Sequence, residues 1–235
     1  MAKKKTDVDV WLGRETSHIR EALENASRHF ARTDALTVNT LEAIYGQESS
    51  FGVLRRSRGM AGAAGEFQIE KQTAERYGLI GSKDNDQRFD IDYASITAAR
   101  YLKDLNTMYG KSVKVSEGRF TLPVESAQER KKFVLAAYNL GEGRVAQAQQ
   151  LAEEAGKDPA IWNDVQVFLE AAGATKKKAV DGRNYVVDLL NNEAGFALKS
   201  PADKKVKNKR PGKKMGSCVN GHWITKDGHH ILICD

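Results

Sequence analysis

Glu48 has the sequence context of an acid–base catalyst. Apolar residues precede it at steps of three and four, which places Glu48 on the same face of a predicted helix: Val38, Leu41, Ile44 and Tyr45. Glu48 lies in the last turn, where burial and the helix dipole both favour the protonated carboxyl. A carboxyl that stays protonated near neutral pH can serve as a general acid for a poor leaving group. The pattern alone is more typical of a glutamate that reaches solvent at a helix end.

The sequence around Glu48 contains further motifs in a fixed order. They are LEAIYGQESSFG (41–52), GAAGEFQI (62–69) with QTAERYGL (72–79), RFDIDYASITAARYLKDL (88–105), AAYNLGEGRV (136–145) and GRNYVVDLL (182–190). This set resembles the soluble-type lytic transglycosylases of glycoside hydrolase family 23, with their Glu-Ser, Gly-Leu-Met-Gln and Ala-Tyr-Asn motifs. The resemblance covers roughly residues 34–191. One such motif is weak evidence, whereas several in register are strong.

The resemblance implies one catalytic residue and a set of substrate-binding residues. Glu48 matches the family's single acid/base, Gln68 would hydrogen-bond sugar, and Phe67 replaces the Met that lines the cleft. Ser57 is the nearest candidate for a loop serine, in a loop that is about two residues longer here. The implied substrate-binding residues are Ser49, Ser57, Phe67, Gln68, Tyr138, Asn139 and Tyr185.

Several of these residues also have a structural explanation. Phe67 is equally suited to the core, and Asn139 to a helix C-terminal turn before Gly141. Tyr138 and Tyr185 are also plausible packing residues. The sequence leaves these alternatives open.

The implied reaction cleaves the bond between N-acetylmuramic acid and N-acetylglucosamine in peptidoglycan. Most glycosidases use two carboxylates, and this motif set supplies one. The resemblance implies that the substrate's N-acetyl group replaces the second carboxylate and that the product is a 1,6-anhydromuramic end. No metal or other cofactor is implied. The alternatives are a hydrolytic muramidase similar to goose-type lysozyme, and a virion or wall-binding structural protein with a vestigial lytic domain.

Glu66 departs from the family pattern, since that position is usually apolar. If it faced the cleft it would orient water and admit hydrolysis; a capping or solvent-facing role is the alternative. Arg55, Arg56 and Arg58 add charge to the preceding Gly-rich loop. They are interpreted either as solvated side chains or as contacts for peptide-stem carboxylates.

Helical spacing of apolar residues predicts a mainly α protein: a lysozyme-like transglycosylase domain, a basic linker and a short C-terminal β-hairpin. Asp34 is the predicted N-cap of the helix that carries Glu48, and Asp90 and Asp92 are predicted to cap a later helix. No convincing strand precedes residue 219. The predicted helices are 15–32, 34 to about 52, 73–77, 95–109, 131–140, 144–155, 161–172 and 183–191.

The predicted organisation is an N-terminal helical segment (1–33), the lytic domain (34–198), a linker (199–216) and a tail (217–235). The tail contains Asp227-Gly228, a preferred hairpin turn, between β-rich runs at about 221–226 and 229–234. Along one strand His230 and Cys234 would lie about 13 Å apart, which argues against zinc. Cys218 and Cys234 are either bridged or free.

The 235 residues carry a net charge of +6, and 40% are hydrophobic, which excludes general disorder. Eight basic residues cluster at 199–214, where they form either a solvated linker or a contact for an anionic wall polymer. We do not expect nucleic acid as a partner, because no aromatic residues are interleaved with the basic residues of 199–214. No apolar run reaches the ~18 residues of a membrane span.

The expected location follows from the N-terminal residues. Asp7 and Asp9 interrupt the place of a signal-peptide core, so we expect no signal peptide and synthesis in the cytoplasm. The protein would then act on the cell wall or in the periplasm after release, or as a virion component. The segment HWITKDGHHILI is similar to short tails on some phage-encoded proteins, which makes a phage or prophage origin an expectation.

Overall fold

The computed structural model describes residues 5–55, 62–81, 85–199, 221–226 and 229–234, and it is mainly helical, as predicted. The chain divides into two compact units between Lys199 and Ser200. The helices of the first unit are α1 (Asp7–Leu12), α2 (Ser17–Ser27), α3 (Val38–Ser49), α4 (Lys71–Arg76), α5 (Ile91–Tyr109), α6 (Ala127–Leu140), α7 (Glu142–Glu154), α8 (Trp162–Val165) and α9 (Lys176–Lys199).

Three of these helices, α3, α6 and α9, carry predicted site residues. Helix α3 packs on α9, α6 packs on both α5 and α9, and α2 packs on α5. Their shared core consists of fully buried aliphatic and aromatic side chains, including Leu41, Ile44, Leu102, Phe133 and Leu135. Burial of each such side chain contributes about 1.5–3 kcal/mol to the free energy of unfolding. The end of α3, the end of α6 and the middle of α9 are therefore held in fixed relative positions.

The start of α3 differs from the prediction. Thr37 is its N-cap, and its backbone N–H donates to Thr40 Oγ1 at 3.0 Å. The prediction that Asp34 caps this helix is wrong, because the Asp34 carboxylate is buried and bonded elsewhere. It accepts from Lys103 Nζ at 2.6 Å and from Asn106 Nδ2 at 3.1 Å, both on α5. Asp34 thus fastens the segment before α3 to α5.

Helix α5 begins at Ile91, four residues before the predicted start at Ser95, and it is capped by Asp90 as predicted. Asp90 is its N-cap, and Asp90 Oδ1 accepts from the backbone N–H of Asp92 at 2.9 Å. Asp92 itself lies in the first turn, where a carboxylate suits the helix dipole.

Three other features were not predicted. A two-stranded antiparallel ribbon is formed by β1 (Lys114–Ser116) and β2 (Arg119–Phe120), although no strand was expected there. Helix α9 is much longer than the predicted 183–191. The segment predicted as a helix over 161–172 contains only the short α8 and a 3-10 turn, Gln166–Phe168.

The second unit contains the predicted hairpin. Strand β3 (Gly221–Lys226) pairs antiparallel with β4 (His229–Cys234), in a register that joins Gly221 to Cys234 and Lys226 to His229. The linker beyond Lys199 and the two turn residues lie outside the described residues. Among the helices that the structure describes, we find none with the length and apolar character of a membrane span.

Candidate active site

A cleft of about 850 Å³ opens at the ends of α3 and α6. The turn before α4, the start of α7 and the first turns of α9 complete its walls. Four of the predicted site residues line it: Glu48, Gln68, Tyr138 and Asn139. Its other lining residues are Ala63, Ile69, Glu70, Gln72, Thr73, Arg76, Tyr101, Leu140, Gly141, Glu142, Arg144, Lys178 and Asp181.

Glu48 is half-buried at the end of α3 and is held by a tyrosine from α9. The Tyr185 hydroxyl donates to Glu48 Oε1 at 2.6 Å. Tyr185 is only 6% exposed, and burial together with the nearby Glu48 raises the pKa of its phenol well above the usual value. The phenol therefore stays protonated and remains a donor to Glu48. This bond fixes the orientation of the carboxyl.

Tyr138, near the end of α6, supports the turn that carries Gln68. The Tyr138 hydroxyl donates to the Phe67 carbonyl oxygen at 2.9 Å. Burial and the charge of Glu48 raise the pKa of Tyr138 as well, so it remains a donor. Gln68 has a φ of 48°, and its Nε2 donates to the Gly65 carbonyl oxygen at 2.9 Å. The turn thus presents Gln68 to the cleft in a defined position.

Ser49 and Phe67 do not reach the cleft, in contrast to the expectation that both touch substrate. Ser49 is fully buried; its hydroxyl donates to the Tyr45 carbonyl oxygen at 3.2 Å and accepts from the Gly52 N–H at 3.1 Å. The Phe67 ring is also fully buried and stacks on the Tyr45 ring at 5.3 Å. Ser49 therefore shapes the end of α3, and Phe67 belongs to the core. Ser57 lies outside the described residues.

Glu66 is buried behind the turn, so both sequence-based interpretations of it are wrong. Its exposure is 4%, and Oε1 accepts from Arg55 Nη1 at 3.1 Å, beside the Tyr45 phenol. Arg55 also donates to the Phe89 carbonyl oxygen at 3.3 Å. Burial raises the pKa of Glu66, although Tyr45 and Arg55 act in the opposite direction. Glu66 and Arg55 join the two ends of the Gly-rich loop.

The substitution Glu66→Gln should remove a pH-dependent cost from the folded state. Because the pKa of Glu66 is raised on folding, the folded protein keeps this proton to higher pH than the unfolded chain, and stability falls as pH rises through that window. The window begins near the ordinary glutamate value of about 4.3. In thermal melts, the Tm of the variant should rise relative to that of the wild type as the pH increases above about 4. The exposed Glu117→Gln is the control, and a difference independent of pH would contradict the expectation.

The structure adds charged cleft residues that the sequence analysis did not identify. Asp181 is one turn before Tyr185 on α9, and this four-residue spacing was the available signal for it. Arg76 and Glu142 form an ion pair between α4 and α7 at 3.3 Å. Within the described part of the chain, no group of three or more His, Cys, Asp or Glu side chains is arranged to hold a metal ion.

Most of the residues that line the cleft belong to a region that matches a known protein family. Residues 26–161, more than half of the chain, match the transglycosylase SLT domain. The chain belongs to the SLT transglycosylase family. The matched region includes Glu48, the turn at Gln68 and the Tyr138-Asn139 pair, whereas Tyr185 follows it.

Curated relatives of this SLT chain carry the name membrane-bound lytic murein transglycosylase F. The protein from Desulfosudis oleivorans is 30% identical over 129 residues, which are 55% of this chain and 24% of that protein. Transglycosylase F 2 from Alkalilimnicola ehrlichii is 29% identical over 150 residues, 63% and 29% of the two chains. The Maricaulis maris protein is 32% identical over 108 residues, 46% and 20%. The SLT chain thus spans less than a third of the length of these relatives.

Proposed function

We propose that this protein is a peptidoglycan lytic transglycosylase that cleaves the β-1,4 bond between N-acetylmuramic acid and N-acetylglucosamine. The observation that carries the proposal is the placement of Glu48 on the cleft with its carboxyl oriented by Tyr185. The names of the SLT-family relatives support murein as the substrate. The cell wall is the corresponding site of action.

In the proposed first step Glu48 is the general acid. It donates its proton to the glycosidic oxygen while the carbonyl oxygen of the muramic N-acetyl group attacks C1. The leaving sugar departs with that proton, and a cyclic oxazolinium forms on the other sugar. The Tyr185 hydrogen bond lowers the cost of the negative charge that then develops on Glu48.

In the second step Glu48 is the general base. Its carboxylate takes the proton of the sugar's own C6 hydroxyl, and that oxygen displaces the acetamido oxygen from C1. The products are a 1,6-anhydromuramic end and a protonated Glu48 that is ready for the next cycle. Water is not consumed, and this chemistry requires no cofactor.

Gln68 and Asn139 are proposed to bind the sugars on either side of this bond. Both line the cleft, and amide side chains can donate to and accept from sugar hydroxyl and acetamido groups. Tyr138 is proposed to act through its ring, because its hydroxyl is already bonded to the Phe67 carbonyl. Ser49 and Phe67 are proposed to act only by supporting their neighbours.

The position of Glu66 favours the lyase over the hydrolytic muramidase. That alternative depended on a second carboxylate that holds water over C1, and Glu66 is buried against Arg55 and Tyr45 instead. The predicted contact with an anionic wall polymer involves residues 199–214. Of these, Lys199 alone is among the described residues, so the contact stays a prediction.

The proposed function is tested by incubating the protein with purified sacculi. We expect the turbidity of the suspension to fall and soluble muropeptides to appear. Sacculi that remain intact, with no fragments released, would overturn the proposal and favour a structural role.

A further inference from the structure

An ion pair on the cleft, separate from Glu48, is held against two tyrosine rings. Arg76 Nη1 donates to Glu142 Oε1 at 3.3 Å, and the Tyr101 hydroxyl donates to Glu142 Oε2 at 3.0 Å. The Arg76 guanidinium lies 5.3 Å from the Tyr77 ring centre and 5.2 Å from that of Tyr101. This cluster, Arg76, Glu142 and Tyr101, joins α4, α5 and α7 at the cleft surface.

The cluster has hydrogen-bonding capacity left for a ligand. A guanidinium carries five N–H donors, and within the described residues only one of those of Arg76 has a protein acceptor. The Arg76 side chain is 45% exposed, and stacking on the rings restricts its plane. An exposed ion pair of this kind contributes only about 0–1 kcal/mol to stability. The arrangement therefore presents oriented donors and acceptors at the cleft.

One ring contact and one nearby charge connect the cluster to the catalytic end of the cleft. The Tyr101 ring lies 5.5 Å from the Tyr138 ring, and Tyr138 is close enough to Glu48 for that charge to raise its pKa. Glu48, Tyr138, Tyr101 and Glu142 all line the same cleft. A glycan chain bound at Glu48 thus has a path to the cluster along these side chains.

We propose that Arg76, Glu142 and Tyr101 bind a neutral sugar unit of the glycan chain at a distance from the cleaved bond. This inference rests on the proposed function, because it assumes that a glycan occupies the cleft. Neighbouring opposite charges suit a sugar hydroxyl, which both donates and accepts. Tyr101 contributes by holding the Glu142 carboxylate, because its own ring is only 8% exposed and lies against Arg76 and Tyr138.

The charges around the cluster argue against a peptide-stem carboxylate as its ligand. The positive charge of Arg76 is offset by Glu142, so the pair has no net charge. Asp181 and Glu70 add negative charge to the same cleft, and Arg144 and Lys178 add positive charge. The cleft lining therefore has no excess of positive charge that would attract a carboxylate, whereas a neutral sugar needs none.

Binding should be measured in a Glu48→Gln background, so that the ligand is not cleaved. Calorimetry with long peptide-free glycan chains should show about tenfold weaker binding when Arg76→Ala is added, and a similar loss with Glu142→Gln. Short chains that reach only the Glu48 end should bind equally to all these proteins. Glu75→Gln is the matched control, since Glu75 is exposed on the same helix as Arg76 and, among the described residues, forms an ion pair with Lys71 alone, at 3.6 Å.

Three results would overturn this inference. In the first, Arg76→Ala and Glu142→Gln change the affinity for long peptide-free chains by less than twofold. In the second, long and short chains lose affinity equally and the Tm falls, as a structural role predicts. In the third, the variants weaken only the binding of peptide-bearing chains, as a carboxylate ligand predicts. If the wild type binds glycan but cleaves no sacculi, the proposed function fails while the binding measurement still decides this inference.

Discussion

Glu48→Gln should abolish nearly all turnover on purified sacculi. A single general acid or base contributes about 10²–10⁴-fold, and here one carboxyl is asked to do both, so the loss should exceed that range. The fold should be unaffected, because glutamine has nearly the same shape and its amide oxygen can still accept from the Tyr185 hydroxyl. Turbidity loss and muropeptide release are the measurements, together with a thermal melt.

The matched variant for this experiment is Tyr185→Phe. It removes one donor to Glu48 and leaves the carboxyl itself, so we expect a smaller loss, on the order of tenfold. Glu48→Gln activity within tenfold of the wild type would contradict the catalytic role of Glu48.

Gly65→Ala should cost several kcal/mol of stability and most of the activity. Gly65 has a φ of 79°, and a Cβ there would lie 1.8 Å from the Arg88 carbonyl oxygen, which belongs to the backbone and cannot swing away. Because the turn would have to move, Gln68 would move with it, and so would the Phe67 carbonyl oxygen that accepts from the Tyr138 hydroxyl. The expected loss is about 3 kcal/mol or more, measured by denaturant unfolding.

Gly118→Ala separates the two causes of the expected loss of stability, which are the positive φ and the close approach to Arg88. Gly118 also has a positive φ, 68°, but a Cβ there would meet nothing within 4 Å. It should show only the left-handed backbone cost of about 1–2 kcal/mol, with activity retained. Equal effects of the two substitutions would show that the close approach to Arg88 does not matter.

Local patterns predicted the parts of the fold that depend on local interactions. The three- and four-residue spacing on α3 placed Glu48 at a helix end facing inward, and Asp227-Gly228 predicted the hairpin whose strands, β3 and β4, the structure contains. Family motifs indicated Gln68, Tyr138 and Asn139, which all line the cleft. Their roles stay predictions.

What the sequence did not predict depends on contacts between distant residues. Asp34 does not cap α3 because Lys103 and Asn106, about 70 positions away, bind its carboxylate. The Glu66 side chain points inward because Arg55 and Tyr45 donate hydrogen bonds to its carboxylate there.

A motif gives the type of residue but not the direction of its side chain. Ser49 and Phe67 stand next to cleft residues in sequence and yet point into the protein. Similarly, Lys176 to Lys178 resemble a charged linker, although they form the first turn of α9, where Lys178 lines the cleft.

Digestion of purified sacculi in water labelled with heavy oxygen tests the proposed chemistry most directly. If Glu48 and the sugar's own C6 hydroxyl complete the reaction, mass spectrometry should find new muramic ends that carry no label and are lighter by one water than reducing ends. If water attacks C1 instead, the new ends are reducing and labelled, and that result would contradict transglycosylation through a single glutamate.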